Sequence, residues 1–97
     1  MAEMINIPYK NRFEYSVDDH TAVVDYILIK YGRIVLTHTE VPKSMEGQGI
    51  GSKLAKAVFS YTKENKLKVM LLCPFMAFFV RRYRDEYVSI LAPSCNV

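Results

Sequence analysis

Cysteine, glycine and unbroken apolar sequence are all scarce in this chain. Cysteine occurs twice, at Cys73 and Cys95. That spacing forms neither a metal-ligand set nor a disulfide framework, and it suits a reducing, intracellular and cytoplasmic compartment. The longest apolar run, "VMLLCPFMAFFV" from Val69 to Val80, contains Pro74 and has about half of the roughly 20 residues that span a bilayer. The N-terminal "MAEMINIPYK" lacks the apolar centre of a secretory signal, so no membrane role is expected. Repeats, low-complexity tracts and linkers are missing too. Nothing divides the 97 residues, which read as one domain, 1–97, with room for a single two-layer core. Charge of one sign is also modest. A net +3 suits a small anionic ligand at least as well as nucleic acid and demands no polyanion.

What is present is patterned. "RFEYSVD", Arg12 to Asp18, alternates Phe13, Tyr15 and Val17 against Arg12, Glu14 and Ser16, the period of a half-buried strand. "TAVVDYILIKY", Thr21 to Tyr31, is β-branched and aromatic, and Gly32 punctuates a hairpin. "RIVLTHTEV", Arg33 to Val41, is a third strand, with Ile34, Leu36, His38 and Glu40 on one face and Val35, Thr37, Thr39 and Val41 on the other. The period then changes. Ile50, Leu54, Ala57, Val58 and Tyr61 form one helical stripe, which "ENK", Glu64 to Lys66, ends. Leu67 to Cys73 is apolar on both faces from Val69, as for a strand covered on both sides. Pro74 opens a second helix, Pro74 to Tyr83, whose Phe75, Phe78 and Phe79 read as core packing. "RDEYVSILAPSCNV" suits a short strand or edge packing. The class is α+β, two layers, a mixed sheet in the order βββ-α-β-α, with the third and fourth strands parallel and adjacent across a right-handed connection.

Three of the four glycines fall at alternate positions, Gly47, Gly49 and Gly51, where the third strand hands over to the helix. A helix mouth presents unpaired amides and the positive end of the helix dipole. Glycines in the entering loop turn amides inward and let a bulky anion approach, the chemistry of a phosphate or diphosphate cradle. A merely tight turn would need fewer. The nucleoside-triphosphate loop G-x-x-x-x-G-K-[ST] does not fit "GSK", Gly51 to Lys53, and the dinucleotide pattern G-x-G-x-x-G lacks its last glycine.

The stretch "VPKSMEGQGIGSKL", Val41 to Leu54, resembles the acetyl-CoA-binding motif of the GNAT superfamily of acetyl-CoA-dependent N-acetyltransferases. With "HTEVP" before it and "CPF" after it, the likeness extends from about Arg12 to Leu91 and is nearest to a minimal branch of roughly 100 residues. The resemblance implies that Thr39, Glu40 and Val41 splay from the fourth strand and meet the pantetheine arm. The main chain of Gly47, Gln48, Gly49, Ile50, Gly51 and Ser52 would then hold the diphosphate. Lys43, Lys53 or Lys56 could pair with phosphate. Three positions depart from the superfamily pattern. Glu46 stands where Arg or Gln is usual, and Cys73 and Val80 stand where an Asn and a proton-donating Tyr are common.

Acetyl transfer to an amine needs a base for the amine proton and a donor for the departing thiolate. Glu40 and His38 share the base role as candidates, against the alternative of a rim acid and a core histidine. Cys73, just before a helix N-terminus, could protonate the thiolate or accept acetyl, or be a small buried hydrophobe. "RRYR", Arg81 to Arg84, reads as an exposed helix end and not an RNA site. The implied cofactor is acetyl-CoA or CoA, and the acceptor is an amine whose identity the sequence does not give. The acceptor side is open, or completed by a protein partner or second copy. The alternative activity is a non-catalytic acyl-CoA sensor.

Overall fold

The computed structural model describes residues 3–45, 47 and 49–92. Two hairpins build most of the sheet. Strand β2 (Arg12–Val17) turns through Asp18, at φ 55°, into β3 (His20–Ile29). A second turn, with Tyr31 and Gly32 both at positive φ, leads to β4 (Arg33–Glu40). Left-handed residues suit such hairpins because they match the twist of the flanking strands. Helix α1 (Ile50–Glu64) then carries the chain to β5 (Lys68–Leu71), which pairs parallel with β4. Helix α2 (Pro74–Arg82), a short α3 (Arg84–Tyr87) and a 3-10 turn follow. As far as Ala92 the tail is mostly helical and joins the sheet edge through one parallel bridge, Val69 to Leu91.

The expected order holds with a strand added in front. Strand β1 (Glu3–Ile7) pairs antiparallel with β2, giving a five-stranded sheet in the order β1-β2-β3-β4-β5. Its alternation is masked because a polar residue points inward. Asn6, opposite Phe13, accepts a hydrogen bond from the Tyr26 hydroxyl at 2.6 Å and donates to that of Tyr61 at 3.0 Å. Burial pushes the Tyr26 hydroxyl above its ordinary value, and the bond to Asn6 opposes this.

The helices share one face of the sheet. Phe13, Val24, Tyr26, Ile34, Leu36 and Val69 meet Leu54, Val58 and Phe59 of α1 and Met76 and Val80 of α2 in one core. Phe59 stacks on Phe79 at 6.0 Å between ring centroids and meets Tyr87 at 5.0 Å, which ties α1, α2 and α3 together. Each such large apolar side chain contributes about 1.5–3 kcal/mol on burial. The opposite face carries Ile5, Ile27, Asp25 and Arg12, the last two joined at 2.7 Å, and Ile27 is 52% exposed. The expectation that the fourth sequence strand is covered on both sides is therefore corrected. Met70 is half-buried and Leu72 is exposed, because among the described residues the helices cover one face alone. Among the described residues no helix is long and apolar enough to cross a membrane.

Candidate functional site

Strands β4 and β5 run together only from Arg33↔Lys68 to Leu36↔Leu71. There the ladder ends, with the amides of Leu72 and Cys73 both donating to the Leu36 carbonyl, at 3.0 and 3.1 Å. The chain then turns away into α2, with Cys73 as its N-cap and Pro74 in its first turn. β4 continues, still paired with β3 as far as Val23↔Glu40. A wedge opens between the strands, with Thr39 on one wall and Cys73 on the other. The buried Cys73 thiol donates to the Thr39 hydroxyl at 2.8 Å.

A bulge sets which side chains face this wedge. Asp25 pairs with His38 and Tyr26 with Leu36, so Thr37 is an extra residue in β4, its hydroxyl donating to the Asp25 carbonyl at 3.2 Å. An extra residue inverts the alternation that follows it. Thr39, opposite the buried Val24, turns to the helical side, and His38 turns to the open face. The expected sharing of one face by Ile34, Leu36, His38 and Glu40 is corrected accordingly. His38 Nε2 lies 3.8 Å from Glu40 Oε2, with both side chains well exposed.

Beyond Val41 a 3-10 turn, Lys43–Met45, buries Met45 beneath the site. Gly47 and Gly49 take φ of 81° and 72°, and Gly49 is the N-cap of α1. Among the described residues no side chain caps this helix, and its first turn holds no acid. The first intrahelical bond, Lys53 N to Gly49 O at 3.1 Å, leaves the amides of Ile50, Gly51 and Ser52 ahead of it. A Cβ on Gly47 or Gly49 would meet nothing within 4 Å, so the left-handed backbone is what requires glycine there. Gly51 has a different reason: a Cβ would fall 2.5 Å from Phe75 Cζ. Wedge and helix mouth form one cavity of about 400 Å³, lined by Thr39, Val41, Met45, Gly47, Gly49, Ile50, Gly51, Ser52 and Phe75. Such a groove suits a ligand with an extended arm and an anionic middle.

The cavity thus gathers Thr39, Val41, Gly47, Gly49, Ile50, Gly51 and Ser52, with Cys73 bonded to its Thr39 wall. Glu40 and His38 are on the other side of the sheet. Gln48, Glu46 and Cys95 lie outside the described residues. Lys43 and Lys53 do not line the cavity, and Lys56 borders another with Phe59 and Tyr87. Sequence reasoning missed Met45 and Phe75. Phe75 could have been suspected from "CPF", which puts it in the first turn of α2, soon after β5 ends.

A family model described as GCN5-related N-acetyl-transferase matches residues 12–90. The chain belongs to this family. Protein NATD1 of Xenopus tropicalis is 37% identical over 73 residues, covering 74% of this chain and 67% of that protein. Protein NATD1 of Homo sapiens is likewise 37% identical, over 74% of this chain and 65% of its own length. The matched stretch spans about two thirds of these relatives. A GCN5-like protein from Staphylococcus aureus, solved by NMR, superposes with a TM-score of 0.68 at 30% identity, over 93% of this chain and 87% of that one. The mixed sheet and its single helical layer are thus a GCN5-related N-acetyltransferase fold.

Proposed function

We propose that the chain, read as one domain, binds acetyl-CoA in this cavity and transfers acetyl to an amine. The observation that carries the reading is the continuity of the β4–β5 wedge with a glycine-lined helix mouth whose first amides precede any intrahelical bond. The residues fit the cofactor. The amides of Ile50, Gly51 and Ser52, ahead of the first intrahelical bond, would hold the diphosphate, and the strand edge past Leu36 would offer polar main chain to the pantetheine arm. Bound acetyl-CoA would supply an activated acyl group. In the transfer a C–N bond replaces a C–S bond, the amine loses a proton and the departing thiolate gains one.

Cys73 is the group suited to the second proton. Its buried thiol donates to the hydroxyl of Thr39, which lines the cavity, so the two form a path for a proton to the cavity wall. His38 and Glu40, on the open face, suit removal of the amine proton from an acceptor that approaches through the gap in the sheet. The free thiol of Cys73 fits a reducing, intracellular setting. A second reading, an acyl-CoA-binding module without turnover, is favoured by Val80, buried and apolar where the family often carries its acid.

A thermal-shift titration with CoA and acetyl-CoA, followed by free-thiol release over a panel of amines, separates the two. A stabilising shift in both ligands is expected, together with thiol release. Cys73→Ala should lower turnover about 100-fold with CoA affinity retained. Unchanged turnover would return Cys73 to packing, and the lack of any shift at millimolar ligand would remove both readings.

A further inference from the structure

The cavity at the mouth of α1 has a neighbour on the far side of Phe75. This second pocket, about 170 Å³, is lined by Ser52, Phe75, Phe78, Phe79, Arg82 and Tyr83, so Ser52 and Phe75 border both. The expectation that Phe75, Phe78 and Phe79 all pack in the core is corrected here. Phe79 is buried, but Phe75 is 41% and Phe78 65% exposed. Phe75, Phe78 and Arg82 recur at helical spacing, which places them on one side of α2, and the Arg82 guanidinium lies 5.7 Å from the Tyr83 ring centroid. Phe75 keeps its place because Gly51 has no side chain to displace it. Exposed aromatic faces beside a guanidinium suit a flat heterocyclic base that bears a phosphate.

We propose that Phe75, Phe78 and Arg82 form a subsite for the adenosine 3′-phosphate end of CoA, with the base against the phenyl rings and the phosphate on Arg82. This rests on the acetyl-CoA reading, and it assigns the nucleotide end of the ligand to residues outside the glycine loop. Because Ser52 and Phe75 line both cavities, a ligand held by its diphosphate at the helix mouth would have the second pocket beside it. The subsite makes the protein selective for the whole nucleotide over its pantetheine half.

Isothermal titration of the full chain with CoA, 3′-dephospho-CoA and 4′-phosphopantetheine tests it, in wild type, Phe78→Ala and Arg82→Gln. Both side chains are exposed, and circular dichroism melts verify that the variants fold. Wild type should prefer CoA to dephospho-CoA about tenfold, and Arg82→Gln should abolish that preference. Phe78→Ala should weaken CoA and dephospho-CoA alike by about tenfold and leave phosphopantetheine unchanged. CoA bound equally by wild type and Phe78→Ala, or with no preference over dephospho-CoA, would overturn the subsite and leave the cradle standing. Failure of wild type to bind any of the three would overturn the reading on which it rests.

Discussion

A Cβ on Gly51 would fall 2.5 Å from Phe75 Cζ, so the two residues act as a unit at the first turn of α1. Within a helix, alanine is otherwise better than glycine by about 0.5–1 kcal/mol. Gly51→Ala should show that gain in a Phe75→Ala background and lose it in wild type, where the ring must move. A double-mutant cycle by chemical denaturation should give a coupling of about 0.5 kcal/mol or more. Additive effects would mean that the ring does not rest on this turn. Gly49 has a different constraint, since the space around it is open and only its φ of 72° excludes other residues. Adjacent glycines of one motif therefore serve the backbone in one case and a neighbouring ring in the other.

At the scale of elements, β4 decides the site. Its first half is held between β3 and β5, and its second half by β3 alone. The extra Thr37 sits at that transition, and bulges bend the strand that carries them. Deleting Thr37 would leave His38 opposite Asp25 and Thr39 opposite Val24, as they are now, with the ladder made regular. The variant should therefore fold, by cooperative melting, yet bind CoA roughly tenfold or more weakly as the wedge loses its bend. Retained affinity would show that the turn at Cys73 alone opens the gap.

For the whole molecule, one helical layer on one sheet face makes stability lopsided. Leu54, fully buried beneath that layer, should cost about 2–5 kcal/mol as Leu54→Ala. Ile27, half-exposed on the other face, should change stability by no more than about 0.5 kcal/mol as Ile27→Thr. Urea denaturation of both variants checks the contrast, and a large loss at Ile27 would show that the second face is covered in solution.

The strands and the two longer helices from Arg12 to Arg82 were legible because their periods are local properties of the chain: alternation through Phe13, Tyr15 and Val17, then the stripe of Ile50, Leu54 and Val58. The glycine-lined mouth was legible for the same reason, since Gly47, Gly49 and Gly51 stand at a strand-to-helix junction in the sequence itself. The short helix Arg84–Tyr87 was not legible, because a single turn has no period to read. β1 was obscured because Asn6 faces inward and finds its partners, Tyr26 and Tyr61, far away in the chain. The side of the sheet taken by His38, Glu40 and Thr39 depended on the bulge at Thr37, which exists only through pairing with β3. The sequence alone determined the kind and order of most elements and where an anion could meet free amides, because these follow from residue spacing along one strand or helix. Tertiary structure alone decided which side chains share the cavity, because faces, bulges and the contact of Phe75 with Gly51 arise only when distant segments pack.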